Sequence, residues 1–424
     1  MNLNKLVKEI SQYSGITDDS RSVKKNFIFV AIKGRKSDGH RYINDAVYKG
    51  AAVIVGEKSL KIKNARYVKV KDSREALGIL ASRWYNNPAD KLKVIGVTGT
   101  KGKTTTCFII YHMLSKIGRK AGLVTSIAAK VGDRKIDTGF HVTSPDVISL
   151  HKLLADMVED GCEYAVIEVS SHGIDQKRIA GVKFNVGVLT NIAPEHLDYH
   201  KTFREYKKIK MSFLNSCKYK VVAPLDTSLD ILQGKFNNLN VEAAVKVLEF
   251  LGVDRKKALA TMTDFRLPEG RLEGVETRKG VKIVIDFAHT PESLESALGY
   301  LRSQTKGKLF AVFGCAGERD PFKRPKMGKI ASEIADEVIL TAEDPRGEKV
   351  EDIIFQIKSG ITSKKAKVIS EPDRRKAIIM AIKHAKKGDV VGIFGKGHEK
   401  SMNFDGINEV PWSDKKIVRE YISK

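Results

Sequence analysis

The sequence predicts an α/β protein of three domains built around mostly parallel sheets. From Leu92 onward, short apolar runs typical of buried strands alternate with segments of helical periodicity, which is the pattern of βαβ units. A break rich in proline and glycine, FRLPEGRLEG, separates two such series. The chain has 424 residues, enough for two to four domains, and its 42% hydrophobic and 30% charged residues are typical of a globular protein.

The three predicted domains follow one another along the chain. Residues 1–88 form the N-terminal domain, in which NFIFVAI and GAAVIVG are predicted strands. Residues 89–267 form the central domain, with strands predicted at KVIGVTG, YAVIEVSS, FNVGVLTNI and KYKVVAPL. Residues 268–424 form a Rossmann-like C-terminal domain, which includes VKIVIDFAH, KLFAVFGCA, DEVILTAED and DVVGIFGKG and ends with the helix SDKKIVREYIS.

Composition and charge argue against several classes of protein. The first segment, MNLNKLVKEISQ, is too polar for a secretory signal, and no apolar run approaches the roughly 20 residues that cross a bilayer, so we expect a cytoplasmic protein without membrane insertion. The four cysteines are isolated and have neither metal-ligand spacing nor disulfide density. The net charge of +24 is compatible with nucleic-acid binding. Because the lysines are scattered and lack interleaved aromatic residues, we favour a solvated basic surface that attracts polyanionic small substrates, with no nucleic-acid partner.

The stretch VIGVTGTKGKTTT predicts a phosphate-binding turn between a strand and a helix. Backbone N–H groups and the positive end of the helix dipole converge at such a turn. Lys103 is placed to reach the β/γ-phosphates of ATP or GTP, and the Thr104 hydroxyl to coordinate Mg²⁺. The glycines are closer together than in the standard P-loop. The predicted nucleotide-binding turn comprises Gly99, Thr100, Lys101, Gly102, Lys103, Thr104 and Thr105.

Three further stretches bear on what the nucleotide is used for. AVIEVSSHGIDQKR places Glu168 at the carboxyl end of a strand, where it either holds the metal or accepts a structural hydrogen bond. In LTNIAPEHLDYH, the preference of Mg²⁺ for oxygen ranks Asp198 above His196, for which a loop hydrogen bond is the alternative. The lysines of REYKKIKMSFL, including Lys210, have the pattern of a solvated basic face. The residues alone therefore predict a nucleotide-dependent enzyme that uses Mg²⁺.

These motifs resemble those of the Mur ligase family, specifically its MurE-type members, the UDP-N-acetylmuramoyl-tripeptide synthetases. The resemblance covers almost the whole chain in order. DDSRSVKKNFIFVAIKGRKSDGHRYINDAVYKGAAVIV is similar to the N-terminal UDP-binding domain, and GTKGKTTT has the family's short glycine spacing. TSPD, EVSSHGIDQKR, TNIAPEHLDYH and EYKKIKMSFL resemble the central ATPase domain. GRLE, IDFAHTPESLE, GCAGERDPFKRPKMG, AEDPRGE and GKGHE resemble the C-terminal ligase domain.

The resemblance implies an ATP-dependent amide ligase. The terminal carboxylate of UDP-MurNAc-L-Ala-D-Glu would attack the γ-phosphate of ATP to form an acyl phosphate, and the amine of a diamino acid would then displace phosphate. A carbamylated Lys210 would be an anionic oxygen ligand, which suits Mg²⁺. The implied catalytic residues are Lys103, Glu168, His196 and Lys210, and the implied Mg²⁺ contacts are Thr104, Glu168, His196 and Lys210 as its carbamate.

The resemblance also implies the remaining substrate contacts. For the nucleotide they are Asn237, Asn240, Arg271, Asp286 and His289, which come from two domains and imply closure during turnover. For the UDP-sugar and peptide they are Ser20, Gly39, His40, Thr143, Ser144, Ser170, Gln176 and Arg178. A turn residue at Ser20 and a surface residue at Arg178 are the alternatives. For the incoming amino acid they are Arg324, Asp344, Arg346, Gly395 and Glu399.

The chain departs from the family pattern in two places. Members that add meso-diaminopimelate carry DNPR, whose arginine pairs with the distal carboxylate, whereas this chain has Asp344 in place of the asparagine. Arg346 favours diaminopimelate, but the acceptor at Asp344 leaves L-lysine open. Between the Lys210 helix and GKFNNLN the chain lacks several strands that family members carry, so we expect a compact central domain and altered adenine contacts.

Other functions compete with this interpretation. A pseudomurein ligase of the same superfamily shares most of the motifs, whereas the N-terminal block and GKGHE argue against a folylpolyglutamate synthetase. A basic P-loop ATPase that acts on nucleic acid explains the charge but not the ligase motifs. A regulatory pseudo-enzyme is disfavoured because the implied catalytic residues are present. We expect a monomer.

Overall fold

The computed structural model describes residues 2–34, 37–136, 144–223, 225–277 and 280–423 of the chain. The chain divides into two compact units. Unit 1 comprises Met1–Ile192, Lys207–Pro224 and Ala243–Thr261, and unit 2 comprises Ala193–Tyr206, Leu225–Glu242 and Met262–Lys424. Most strand pairs in both units are parallel, which confirms the predicted α/β class.

A four-stranded parallel sheet of order β1-β2-β3-β4 begins unit 1. The predicted strands NFIFVAI and GAAVIVG correspond to β2 and β3. Alternate residues of β2 point to opposite faces, so Ile28 and Val30 pack with α1 and α3 while Phe29 packs with α2. The elements are α1 (Leu3–Lys8), β1 (Gly15–Thr17), β2 (Phe27–Val30), α2 (Ile43–Tyr48), β3 (Val53–Gly56), β4 (Arg66–Lys69) and α3 (Ser73–Trp84). Short 3₁₀ turns lie at Ile10–Gln12, Ser20–Ser22, Gly39–Tyr42, Pro88–Lys91 and Thr261–Asp264.

A seven-stranded sheet of order β11-β10-β5-β9-β6-β7-β8 follows. The predicted strands KVIGVTG, YAVIEVSS, FNVGVLTNI and KYKVVAPL correspond to β5, β9, β10 and β11, all of which pair in parallel. The short β6 and the antiparallel β7 and β8 were not predicted. In chain order, the elements from β5 to α10 are β5 (Lys93–Thr98), α4 (Lys103–Lys116), β6 (Ala121–Val124), β7 (Ala129–Val131), β8 (Arg134–Ile136), α5 (Val147–Glu159), β9 (Tyr164–Glu168), α6 (Ser171–Asp175), β10 (Val186–Leu189), α7 (Leu197–His200), α8 (Phe203–Ser216), β11 (Tyr219–Val222), α9 (Lys235–Phe250) and α10 (Arg255–Ala260). Of these, α7 and the first residues of α8 and α9 belong to unit 2.

Unit 2 contains a six-stranded sheet of order β12-β13-β17-β14-β15-β16, in which only β12 is antiparallel to its neighbour. Its apolar residues form a separate core on each face, with Val284 in one and Ile283 and Ile285 in the other. A hairpin of β18 and β19 follows. The elements are β12 (Glu273–Glu276), β13 (Lys282–Asp286), α11 (Pro291–Gln304), β14 (Leu309–Phe313), α12 (Lys323–Ile334), β15 (Glu337–Leu340), α13 (Val350–Lys358), β16 (Lys367–Ser370), α14 (Arg374–His384), β17 (Val390–Phe394), β18 (Ser401–Asn403), β19 (Glu409–Pro411) and α15 (Asp414–Ile422).

The four cysteines are free and buried. Burial raises the pKa of each thiol, to about 11 for Cys217 and about 12 for Cys315, so little thiolate forms at neutral pH. Among the described residues, no helix combines the length and the apolar character that crossing a membrane requires.

Candidate active site

The predicted phosphate-binding turn joins β5 to α4 in unit 1. Gly102 precedes the first residue of α4 with a φ of +81°, and Gly99 has a φ of +150°. A Cβ at Gly99 would collide with the Thr190 side chain, so both backbone conformation and space require glycine there. The first N–H groups of α4 have no partner within the helix and lie at the positive end of its dipole, which makes this turn an anion site.

The strand next to β5 holds the turn in place. Asn191, just after β10, accepts a hydrogen bond from the Lys101 N–H (2.9 Å) and donates one to the Lys101 carbonyl (3.0 Å). The Asn191 carbonyl accepts from the Thr100 N–H, and the Thr190 hydroxyl donates to the Lys101 carbonyl. Sequence reasoning missed Thr190 and Asn191 as site residues. The available signal was a polar TN pair directly after a buried strand.

Lys103 folds back over the turn. Its Nζ donates to the carbonyls of Gly99 (3.1 Å) and Thr100 (2.9 Å). These are neutral acceptors, and a phosphate oxygen forms a stronger, charge-assisted hydrogen bond with an ammonium. Lys103 can therefore exchange both carbonyls for the phosphates of a nucleotide.

Glu168, at the end of β9, is buried and collects three donors on one oxygen. Its Oε2 accepts from the Thr104 hydroxyl (3.0 Å), the Ser126 N–H (3.1 Å) and the Ser126 hydroxyl (3.3 Å). Ser126 follows β6, which sequence reasoning did not predict, and so it was missed. The cluster combines a carboxylate with hydroxyls, the hard oxygen ligands that Mg²⁺ prefers.

Mg²⁺ fits this cluster, although the protein side chains alone do not complete a coordination sphere. No group of three or more His, Cys, Asp or Glu side chains suitable for a metal occurs in the described parts of the chain. Thr104 and Glu168 would therefore hold the ion together with substrate phosphates and water, which is the usual arrangement for Mg²⁺.

Lys210, on α8, is buried, with 1% of its surface exposed. Its Nζ donates to the Gly99 carbonyl (2.8 Å) and the Thr98 hydroxyl (3.2 Å), directly beneath the phosphate-binding turn. The interpretation of this segment as a solvated basic face is wrong for Lys210, whereas Lys207 and Lys208 are exposed as it predicted. The carbamate on Lys210 stays a prediction.

The described members of the predicted peptide-binding set lie together at the carboxyl end of β9, where Ser144, from before α5, meets residues that follow the strand. Ser144 and Ser170 have their hydroxyls 3.2 Å apart. The Arg178 guanidinium donates to the Ser144 carbonyl (2.8 Å) and, through two nitrogens, to Gln176 Oε1 (3.1 and 2.8 Å). Arg178 is thus a half-buried, oriented side chain rather than a loose surface residue. Thr143 lies outside the described residues.

The predicted UDP-sugar residues lie on 3₁₀ turns of the first sheet. His40 is buried and uses both ring nitrogens, since Nδ1 donates to Asp38 (2.7 Å) and Nε2 accepts from the Glu57 N–H (3.0 Å). A Cβ at Gly39 would come within 2.8 Å of the Ile32 backbone. Ser20 is buried in its turn. His40 and Gly39 therefore shape this loop.

Unit 2 carries the other predicted nucleotide contacts. His196 immediately precedes α7 with a φ of +56°, and Asp198 lies 3.9 Å from Arg319. Glu195 lies between His196 and His289, with its carboxylate oxygens 3.8 and 3.9 Å from the two Nε2 atoms. Because His196 belongs to unit 2 while Thr104, Glu168 and Lys210 belong to unit 1, their assembly around one ion stays a prediction.

The asparagines of GKFNNLN form a buried cluster. Asn237 donates to the Gln233 carbonyl (2.7 Å), and Asn240 donates to Asn237 Oδ1 (3.3 Å). Asn238, which was not predicted, accepts from the N–H groups of Ile231 (2.9 Å) and Leu232 (2.8 Å) and so fixes the preceding loop.

Asp286 and Arg271 are also oriented by local contacts. Asp286, at the end of β13, accepts from the N–H groups of Leu272 (2.7 Å) and Ala288 (2.8 Å), and thereby holds the GRLE segment. The Arg271 guanidinium lies 4.7 Å from the centre of the Phe287 ring.

Of the five predicted amino-acid-binding residues, one is buried and paired within the protein, and four lie in the loops after β15 and β17. Arg324 is buried and makes a bidentate pair with Glu348 (2.7 and 3.0 Å), so its fork is already occupied by the protein. Asp344 and Arg346 follow β15, and Gly395 and Glu399 follow β17. Arg346 donates to the Gly317 carbonyl (3.1 Å) and has a φ of +55°.

Unit 1 thus carries the predicted phosphate-binding turn at the carboxyl end of a parallel sheet. Unit 2 is an α/β unit with charged loops after β15 and β17. Comparisons with known proteins show to which family a chain with these features belongs. Three domain models of one family match the chain: "Mur ligase family, catalytic domain" over residues 12–85, "Mur ligase middle domain" over residues 97–261, and "Mur ligase, glutamate ligase domain" over residues 270–397. The chain belongs to the Mur ligase family.

Within that family, similar curated relatives share one name, UDP-N-acetylmuramoyl-L-alanyl-D-glutamate–2,6-diaminopimelate ligase. The protein of this name from Parabacteroides distasonis is 37% identical, over 97% of this chain and 94% of the relative. The one from Aquifex aeolicus is also 37% identical, over 100% of this chain and 95% of the relative.

Solved structures show the same fold. A structure of a UDP-N-acetylmuramoyl-L-alanyl-D-glutamate–2,6-diaminopimelate ligase has a TM-score of 0.64 at 26% identity and covers 97% of this chain and 95% of its own. MurF from Thermotoga maritima in complex with ADP has a TM-score of 0.63 at 22% identity and covers 96% of this chain and 97% of its own. The predicted three-domain Mur ligase fold is confirmed.

Proposed function

We propose that this protein is an ATP-dependent ligase that adds meso-2,6-diaminopimelate to UDP-MurNAc-L-Ala-D-Glu in the synthesis of peptidoglycan precursors. The observation that carries the proposal is the similarity over nearly the full chain to relatives named for this reaction. The buried Thr104–Glu168 pair beside a phosphate-binding turn supports it, because an acyl phosphate route needs a site that positions the γ-phosphate.

In the first step, the terminal carboxylate of the dipeptide attacks the γ-phosphate of ATP. Lys103 exchanges its contacts with Gly99 and Thr100 for phosphate oxygens, while the helix N-terminus at Gly102 faces the phosphates. Thr104 and Glu168 would hold Mg²⁺, which neutralises phosphate charge when bound. The products are an acyl phosphate and ADP.

In the second step, the amine of the incoming amino acid attacks the acyl carbon and phosphate leaves. The amine has to arrive deprotonated and aligned, so binding of the amino acid governs this step. Arg346 carries a guanidinium that suits the distal carboxylate of diaminopimelate. Arg324, fixed by Glu348, positions the loop instead of binding the substrate directly.

The test is phosphate release from ATP by the purified protein with Mg²⁺ and UDP-MurNAc-L-Ala-D-Glu. Meso-diaminopimelate, L-lysine or no amino acid is supplied in parallel, and the product is identified by mass. We expect release that depends on diaminopimelate and a tripeptide of matching mass. A Lys103→Ala variant, which lacks the phosphate-binding amine, serves as the inactive control. Release that depends on none of the amino acids would refute the proposal.

We further propose that the protein works in the cytoplasm as a monomer. Sedimentation of the purified chain tests the oligomeric state, and a dimer at working concentration would contradict it.

A further inference from the structure

A single buried lysine links the two loops that carry the predicted amino-acid-binding residues. Lys396 follows β17, and 2% of its side chain is exposed. Its Nζ lies 2.8 Å from Asp344 Oδ1, after β15, and 2.5 Å from Glu399 Oε2. Neither the sequence motifs nor the comparisons assign a role to Lys396.

The surroundings of Lys396 are rich in carboxyl groups. Glu343, Asp344 and Glu399 all lie near it. Burial raises the pKa of Glu343 to about 7, which keeps part of that acid neutral. Burial by itself would lower the pKa of Lys396, but Glu399 and Asp344 more than offset this and raise it, so the ammonium stays charged at neutral pH. The negative charge of Asp344 is therefore offset by an ammonium that it shares with Glu399.

Asp344 is also fixed in orientation. The same Oδ1 that accepts from Lys396 accepts from the Asn403 N–H of β18 (3.1 Å). The carbonyl of Asn403 in turn accepts from the Arg346 N–H (3.0 Å). Lys396 thus anchors the segment from which the Arg346 guanidinium extends, two residues beyond Asp344.

We propose that Lys396 is a positioning residue that sets the choice of amino acid, because it compensates Asp344 and leaves Arg346 to select a distal carboxylate. Both amino acids carry a distal ammonium, but only diaminopimelate carries a distal carboxylate. Without Lys396, the free charge of Asp344 would repel that carboxylate and so weaken the binding of diaminopimelate relative to L-lysine. The inference rests on the proposed function and adds a source of specificity to it.

The test compares kcat/KM for meso-diaminopimelate and L-lysine in wild type and Lys396→Met. We expect the preference for diaminopimelate over lysine to fall by about tenfold or more, mainly through a higher KM for diaminopimelate. Lys396→Arg, which keeps the positive charge, should retain most of the preference. Asp344→Asn/Lys396→Met, which removes both charges, should restore it.

A purely structural role gives a different pattern, since a destabilised enzyme loses activity with both amino acids alike. An unchanged preference in Lys396→Met would overturn the assignment. The melting curve of Lys396→Met shows whether this variant folds. If it does not fold, the double variant is the test, and we expect it to fold and to prefer diaminopimelate. A double variant that prefers lysine would overturn the assignment. Lys415→Met is the matched control, because Lys415 also lies between two carboxylates, Glu269 (3.2 Å) and Glu273 (2.5 Å). It should leave the preference unchanged.

The wild-type arm separates the two proposals. If wild type shows no release dependent on diaminopimelate, the proposed function and the role of Lys396 both fail. If wild type depends on diaminopimelate but Lys396→Met keeps the wild-type preference, only the role of Lys396 fails.

Discussion

At the scale of single residues, Lys210 shows how much burial changes the meaning of a charged side chain. A basic segment is ordinarily a solvated face, yet this lysine lies beneath the phosphate-binding turn and donates to Gly99 and Thr98. Its neighbour Lys208 is exposed. The position is suited to a group that acts on bound nucleotide.

If Lys210 carries a carbamate, its glutamate variant should be more active as a ligase than its alanine variant. Lys210→Ala should lose most ligase activity, whereas Lys210→Glu should keep more of it, because a carboxylate can replace the anionic oxygens of the carbamate as a metal ligand. Phosphate release measures both, with Lys208→Ala as the exposed control that stays active. Equal losses in the two variants, or no loss, would argue against the carbamate.

Sequence reasoning predicted Thr104 and Glu168, which the structure brings into contact, but not the residues that support them. Thr104 and Glu168 were predicted because each follows a recognisable strand or turn, and they lie in contact. Ser126 was missed because it acts through a tertiary contact after a strand that was not predicted, and Asn191 because the polar pair after β10 does not by itself reveal a contact with the turn. Conversely, Arg324 was predicted to bind substrate, and its burial against Glu348 is visible only in the fold.

Glu343 predicts a pH dependence of stability. Because its pKa is raised from 4.5 to about 7, the folded protein binds a proton there that the unfolded chain has released, so this acid lowers the free energy of unfolding as pH rises from about 4.5 to about 7. The free energy of unfolding of Glu343→Gln, relative to that of wild type, should therefore increase by up to about 3 kcal/mol from pH 5 to pH 8. Urea unfolding at both pH values measures the gain. A difference from wild type that does not change with pH would contradict it.

At the scale of elements, the predicted nucleotide site depends most on the segment β5–turn–α4, which the residues after β10 hold in place. Gly99→Ala should lower ATP-dependent turnover about 10- to 100-fold, because the new Cβ would displace Thr190 from the turn. Gly118→Ala is the matched control. Gly118 also has a positive φ but has open space around it, so only backbone strain of about 1 kcal/mol is expected, without loss of turnover. Wild-type turnover in Gly99→Ala would contradict the prediction.

The elements that the sequence predicted well are those with long apolar runs. β5, β9, β10 and β13 lie where the pattern places them, since a strand buried on both faces needs a continuous apolar segment. β6 was not predicted because its segment, AGLV, is short and contains glycine. β12 was missed because its residues, EGVE, are mainly polar, and its place in the sheet depends on pairing with β13.

At the scale of the whole molecule, the alignment with a relative contains gaps in this chain, and the central region stays the predicted place for them. The alignment with the Parabacteroides distasonis protein spans 462 positions, more than the 424 residues of this chain, so gaps fall in this chain. In the described residues between β11 and α9, 223 and 225–234, there is no strand. The sequence predicted this compact connection because motifs on both sides of it could be recognised.

The net charge of +24 leads to a prediction about salt. If the basic surface attracts polyanionic substrates, kcat/KM for ATP and for the UDP-dipeptide should fall several-fold from low salt to about 0.5 M KCl, as screening shortens the range of attraction. Kinetics at graded KCl measure this effect. Added DNA should not stimulate ATP hydrolysis. A salt-sensitive stimulation by DNA would instead support the nucleic-acid alternative.

The buried, protonated thiols have a practical consequence for watching this enzyme work. Maleimide dyes react with exposed thiolates, so the native Cys107, Cys162, Cys217 and Cys315 should remain unlabelled while the protein is folded. A cysteine introduced at an exposed position such as Lys208 in unit 1, and another at Phe355 in unit 2, would then take up fluorophores selectively. The wild-type chain is therefore already a suitable background for energy-transfer measurements of domain closure, with no native cysteine to remove.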